Sequence, residues 1–191
     1  MRVAVDFDGT LADSQSLYLA LLNYRHGAAV RLSEIDEWNA YDRLFGNCEL
    51  ERVLDLVDNT HLRRAIRPTS PVAPAFVKWL VGRGHAVEVL TSNSEVTADS
   101  IRAWNFGHGL DVPVRAIGRV SAANKAAMDY DLFMDDSPHI IEPVMDLGKF
   151  LMLVDAPYNR SVASLGYDGQ PNFYRIVDWS RVFEAARKWD L

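Results

Sequence analysis

Apolar residues in this chain follow two rhythms that alternate along most of its length. Short apolar runs of strand type occur at 3–7 (VAVDF), 85–90 (HAVEVL), 112–117, 131–134 (DLFM), 150–154 (FLMLV) and 174–177. Between them lie helical stretches: 75–83 with Phe76, Val77, Leu80 and Val81 on one face, then 94–106, 122–128, 140–147 and 180–188. Gly84 and Gly148 stand where helix C-caps are expected. This alternation predicts an α/β, Rossmann-like parallel sheet with helices on both faces.

One block breaks the rhythm. Residues 13–66 contain no convincing strand, but show helical spacing at 16–25 (SLYLALLNYR), closed by Gly27, and at 49–62 through Leu50, Val53, Leu54 and Val57. The aromatic stretch 31–47 joins them, and Pro68, Pro71 and Pro74 mark the return of the main pattern. The expected organisation is a core of residues 1–12 and 67–191 with a small helical insertion, 13–66, after the first strand.

The first strand runs into an acidic turn, Asp6-Phe7-Asp8-Gly9-Thr10. Asp6 and Asp8 are two residues apart, so on extended backbone both carboxylates lean to one side. Gly9 lets the chain turn sharply beyond them. A bare pair of this kind is as easily a solvated surface turn. Two further polar sets alter that reading: Thr91-Ser92-Asn93 after the second strand and Asp135-Asp136 after the fourth. In a parallel sheet these ends share one edge, where ligands bind. All three sets should therefore meet in one crevice.

Composition narrows the classes. The 191 residues are 49% apolar and 24% charged, proportions of a globular protein with a substantial core. No window of 18 uncharged apolar residues is present, so no membrane partner is expected, and the start shows no signal-peptide pattern. The single cysteine, Cys48, suits a reducing cytoplasm. Net charge is −6 with no basic run longer than the pair Arg63–Arg64, which disfavours duplex nucleic acid. A homodimer is compatible with all of this.

Four carboxylates, a hydroxyl turn and a lysine suit phosphoryl transfer. Asp6 would attack phosphorus, and Asp8 would protonate the leaving oxygen and later take a proton from water. Mg²⁺ would bridge Asp6, the phosphate and an acid after the fourth strand. Thr91 and nearby backbone N–H groups would hold phosphate oxygens, and Lys125 would offset remaining negative charge.

The set resembles the haloacid dehalogenase-like phosphohydrolases, on Asp6-Phe7-Asp8-Gly9-Thr10, Thr91, Lys125 and Asp135-Asp136 in that order. The resemblance implies that the insertion is a cap. It also implies that Mg²⁺ is held by the Asp6 carboxylate, the Asp8 backbone carbonyl and one of Asp135 and Asp136. Asp136 fits that slot better, leaving Asp135 to orient water or Lys125. Within the superfamily the chain is most similar to the 5′(3′)-deoxyribonucleotidase-like members, on Leu90-Thr91-Ser92, Asp135-Asp136-Ser137-Pro138, Pro157-Tyr158-Asn159-Arg160 and Arg175-Ile176-Val177-Asp178-Trp179. Ser137 stands where that family usually has arginine, and Ser14 where it has an aromatic.

The implied substrate is a small phosphomonoester, a (deoxy)nucleoside monophosphate, bound by Thr91, Ser92, Lys125 and Trp38. Alternatives are a phosphatase for sugar phosphates or polynucleotide ends, or a phosphomutase. A phospho-acceptor receiver domain shares the residue types, but there the lysine follows the acids. Trp38, Tyr41 and Phe45 are read either as the insertion's core or as a base-stacking platform. Trp79, Trp104 and Trp189 are read as packing, and Asn159 and Arg160 as loop-ordering. None of His26, His61, His85, His108 and His139 has a ligand-spaced partner, so no zinc site is expected.

Overall fold

Strands buried on both faces need apolar side chains at successive positions, and those of this chain have them. The computed structural model describes residues 1–191, with 162–165 described by backbone only. Six strands, β1 (Arg2–Val5), β2 (Ala86–Thr91), β3 (Val114–Ala116), β4 (Leu132–Asp135), β5 (Phe150–Val154) and β6 (Phe173–Ile176), form one sheet in the order β3-β2-β1-β4-β5-β6. Every pairing is parallel; Val3, for example, lies opposite Val87 on one side and Leu132 on the other.

Alternation along the strands sends side chains to two cores. Val3, Val5, Val89, Leu132, Met134 and Met152 pack against α4 (Val72–Gly82), α5 (Glu95–Gly107) and α8 (Val182–Lys188) through Phe76, Leu80, Ile101, Trp104 and Val182. Ala4, Leu90, Phe133, Leu151 and Leu153 face α6 (Ala122–Ala126) and α7 (Ile141–Asp146) through Ala126, Ile141 and Val144. Strand order reverses at β1, whose neighbours are β2 and β4. The crevice expected of such a switch point opens beyond their C-terminal ends.

Between β1 and α4 the chain builds α1 (Ser14–His26), α2 (Ala40–Phe45) and α3 (Glu49–Asn59), with 3₁₀ turns at Leu32–Glu34 and Leu62–Ala65. Asp13 caps α1 by accepting from the Ser16 N–H, and Gly27 ends it at φ 60°. This segment has its own core of Tyr18, Leu22, Tyr41, Phe45, Val53 and Val57, joined by Ala156 and Tyr158 of the loop after β5. It leaves and returns through a narrow stem, where Asp13 N donates to Arg67 O (2.8 Å) and Thr69 N to Leu11 O (2.9 Å).

The elements follow the sequence pattern closely, with informative exceptions. The stretch 112–117 yields only the three-residue β3, because Pro113 brings no N–H to the ladder. The helix expected over 49–62 stops at Asn59. His61 adopts a left-handed φ of 59°, and residues 62–65 form a separate 3₁₀ turn. The starts of the helices expected at 140 and 180 are likewise 3₁₀ turns, Pro138–Ile140 and Trp179–Arg181.

Candidate active site

Asp6 continues β1 by one hydrogen bond, its N–H donating to Met134 O (2.8 Å), so the carboxylate leaves the sheet edge beside β4. Lys125, on α6, reaches it: Nζ donates to Asp6 Oδ1 (2.7 Å) and to Asp135 Oδ2 (2.8 Å). The short α6 holds the lysine because Ser121 caps it, accepting from Asn124 N. Asp135 is the last residue of β4, and its second oxygen accepts from Ser137 N (2.8 Å). Asp136 turns the other way, accepting from the Tyr158 hydroxyl and from Thr10 Oγ1 (3.3 Å). Its backbone carbonyl accepts from Asn159 Nδ2 (2.8 Å), so Asn159 orders the loop as the sequence suggests. Gly9, at φ 75°, passes so close that a Cβ there would overlap the Asp136 carboxylate.

One oxygen from each of Asp6, Asp135 and Asp136 lies within 4.8 Å of the others. Burial, reinforced by Asp135 and Asp8, pushes the Asp6 carboxyl up to about 7 despite Lys125. Burial and its neighbours Asp6 and Asp135 push Asp136 well above the carboxylate range. Burial disfavours the Lys125 charge, but Asp135 and Asp6 outweigh it and hold the ammonium charged. One buried cation thus faces three crowded acids, a donor set of hard oxygens with a charge deficit that a divalent cation fits.

Asp8 faces the helical segment instead. Its Oδ1 accepts from the Tyr18 hydroxyl of α1 (2.7 Å) and from Arg63 Nη1 (2.5 Å); its Oδ2 accepts from Asn93 Nδ2 (2.6 Å). Burial alone would raise its pKa, but the Arg63 charge and these hydrogen bonds hold it below the usual carboxylate range. Ser14 Oγ accepts from Gly9 N (3.1 Å) and steadies the turn.

The other expected residues divide. Thr91 is buried at the end of β2, where its hydroxyl accepts from the Asn93 backbone (3.2 Å) and side chain (2.8 Å). It is a strand-end cap as well as a neighbour of Asp8's partner. Ser92 is exposed. Trp38 is half-exposed and meets His139 and Tyr158 edge to face, each at 5.5 Å. It lines a cleft of about 370 Å³ with Glu37, Pro138 and Glu142. Tyr41 and Phe45 lie inside the helical segment's core, and Trp104 is buried on Phe7.

Three residues at the site escape the sequence pattern: Tyr18, Arg63 and Tyr158; Asn93, in the polar set expected after the second strand, does reach the crevice. Arg63 stands out in the sequence only as half of the basic pair Arg63–Arg64, yet its side chain is wholly buried between two acidic partners, Asp8 and Asp58. The irregular turn at 61–65 aims it inward, and no periodicity announces such a turn.

No family model matches the sequence, and no curated protein does. Solved structures do. A HAD family hydrolase from Deinococcus radiodurans R1, holding phosphate and sodium, superposes with a TM-score of 0.65 at 14% identity, over 100% of this chain and 96% of that one. A phosphonoacetaldehyde hydrolase-like protein from Oleispira antarctica gives 0.63 at 13% identity, over 98% and 92%. A predicted phosphoglycolate phosphatase from Haemophilus somnus gives 0.63 at 14%, over 97% of both. At such identities the likeness is one of fold. This chain has the fold of the haloacid dehalogenase-like hydrolases, with the acids of its first and fourth strands gathered at the crevice.

Proposed function

We propose that the protein is a Mg²⁺-dependent phosphatase that works through an aspartyl-phosphate, most readily on (deoxy)nucleoside monophosphates. The observation that carries this is the meeting of Asp6, Asp135, Asp136 and Lys125 with Asp8 at the edge of the crevice. Asp6 and Asp136, with the Asp8 carbonyl, would hold Mg²⁺, and Asp135 keeps Lys125 in place. When bound, the ion offsets the charge of the phosphoryl oxygens.

Asp6 attacks phosphorus, forming its P–O bond as the bond to the leaving oxygen breaks; Asp8, held ionised by Arg63 and its hydrogen bonds, first takes a proton from solvent and passes it to that oxygen. A water then attacks the phosphorus of the acyl-phosphate and gives its proton to Asp8. Inorganic phosphate leaves and Asp6 is regenerated. Lys125 opposes the negative charge that gathers at Asp6. The helical segment 13–66 acts as a cap that excludes water from the reacting atoms. The cleft under Trp38 supports the nucleotide reading, because Tyr158 lines it and also bonds Asp136. An exposed thiol at Cys48 suits a reducing cytoplasm.

A sugar-phosphate phosphatase or phosphomutase would use the same groups, and the Haemophilus somnus structure named for phosphoglycolate shares the fold. Phosphate release should therefore be measured across nucleoside monophosphates, sugar phosphates and phosphoglycolate, for wild type and Asp6→Asn. Release by wild type, lost in Asp6→Asn, supports the chemistry; equal release by both overturns it. Isomerisation of a sugar phosphate without net phosphate release would make the protein a mutase.

A further inference from the structure

Arg175 lies on β6, separated from β4 by β5, yet its bonds lead back to Asp136 beyond the end of β4. Its side chain is only 11% exposed. Nη1 donates to Asp155 Oδ1 (3.1 Å), just past β5, and to Asn159 Oδ1 (2.9 Å); Nη2 donates to the Asn159 carbonyl (3.5 Å). Asn159 is wholly buried and both ends of its amide are engaged. Its Oδ1 also accepts from Ala156 N (3.1 Å), while Nδ2 donates to Val154 O and Asp136 O, each at 2.8 Å. A guanidinium can only donate, so it fixes which end of that amide faces it. With the oxygen turned to Arg175, the nitrogen is left for the Asp136 carbonyl. The preceding residue, Tyr158, donates its hydroxyl to Asp136 Oδ2. Two successive residues of one turn thus hold Asp136 by main chain and side chain, and Arg175 pins that turn. Arg160 grips the same acid differently. Its Nε (3.0 Å) and Nη2 (2.8 Å) donate to Asp155 Oδ2 from the exposed side, and among the described residues its side chain bonds Asp155 alone.

We propose that Arg175 is a positioning residue for Mg²⁺ binding: through Asn159 and its turn it fixes the aim of Asp136, and so sets the affinity of the acidic set for the ion. Asp136 stands beside two other acids, Asp6 and Asp135, and their repulsion favours any rotation that takes it away. A carboxylate free to rotate would have to be brought back each time the ion bound. The pinned turn keeps Asp136 in place beforehand, so binding does not include that step. The chemistry at Asp6 is untouched by the device, because Arg175 reaches the site only through Asn159 and Asp136.

This rests on the metal site of the proposed phosphatase, and the test separates the two. Mg²⁺ binding to the full-length protein is measured by titration calorimetry at pH 8, and kcat on p-nitrophenyl phosphate at saturating Mg²⁺. Arg175→Met should raise the Kd for Mg²⁺ at least about tenfold, the low end for losing a group that orients a metal ligand, with kcat within about threefold of wild type. Arg175→Lys keeps the charge and a donor and should recover part of the affinity. Arg160→Met loosens the same Asp155 without touching Asn159, and should leave Kd within about twofold. If Arg175→Met does not fold, Asn159→Asp carries the test. It keeps the shape and still accepts from Arg175, but has no N–H for the Asp136 carbonyl, and should weaken Mg²⁺ binding by a similar factor. An unchanged Kd, or a rise that Arg160→Met matches, would overturn the positioning role and leave the metal site intact. A wild type that binds no Mg²⁺ would instead remove the metal site, and the inference with it.

Discussion

Lys125 Nζ lies 2.7 Å from Asp6 Oδ1 although 119 residues separate them, and the ammonium is almost wholly enclosed. Its second partner, Asp135, is more deeply buried still. Lys125 is therefore the internal counter-ion of the acidic set. Lys125→Met keeps the stem and removes the charge. Leaving buried acids unpaired costs on the order of 3–5 kcal/mol, so thermal melts at pH 8 should show a large drop in Tm. The kcat/KM should fall at least about 10²-fold. Unchanged kinetics would show that the lysine serves only the fold.

The second prediction concerns pH and metal. Asp6 rises from 3.8 in the unfolded chain to about 7 in the fold, so the native state keeps a proton that the unfolded state has released. Stability of the metal-free protein should then fall as pH rises from about 4 to about 7. Asp136 acts in the same direction. Asp8, held low, acts in the opposite one: its contribution is present above the usual carboxylate range and lost in acid. Mg²⁺ needs ionised carboxylates and competes with those protons. Its addition should raise Tm little at pH 5 and clearly at pH 8, with EDTA reversing both the shift and the activity. An equal shift at both values would place the ion elsewhere.

Much of this was legible because it follows from period. The strands carry their acids at C-terminal ends, and parallel topology brings distant ends together, so Asp6, Thr91 and Asp135 could be placed without coordinates. Burial and irregular turns were not legible. Nothing local distinguishes Arg63 from Arg64, since what separates them is the left-handed His61 before the turn and the acids waiting inside. Asn93 is placed at the crevice by its strand end, but not its partners: its amide bridges Thr91 and Asp8. Tyr158 sits in a 3₁₀ segment, Pro157–Leu165, whose packing against Trp38 no spacing encodes.

Gly9 offers a third test. Its φ of 75° is strained for any residue with a side chain, and the Asp136 carboxylate occupies the space a Cβ would take. Gly27, at φ 60°, has nothing within 4 Å of that position. Gly27→Ala should cost only the backbone strain, on the order of 1 kcal/mol, with normal turnover. Gly9→Ala should lower Tm further and reduce kcat at least tenfold, because Asp136 must move. Comparable effects from the two substitutions would mean that the close approach at Gly9 carries no function.

The last prediction concerns Trp38, which stands half-exposed over the cleft with His139 and Tyr158 at its edges. The interior aromatics Tyr41 and Phe45 are spent on packing, whereas Trp38 lines the cleft, where under the proposed nucleotide reading it would meet the base. Base–aromatic stacking is worth about 1–3 kcal/mol, which predicts that nucleotides are better substrates than small sugar phosphates. Trp38→Ala should then raise KM for nucleoside monophosphates roughly tenfold, leaving KM for phosphoglycolate within about twofold. The ring also touches Tyr158, whose hydroxyl bonds Asp136, so a purely structural effect has a separate signature. It would loosen the acidic cluster, weaken Mg²⁺ activation and lower kcat on every substrate alike. Tyr158→Phe supplies the reference for that outcome, since it cuts the bond to Asp136 while keeping the aromatic wall. If Trp38→Ala behaves like Tyr158→Phe, the tryptophan supports Asp136 and the nucleotide preference has no basis in this cleft.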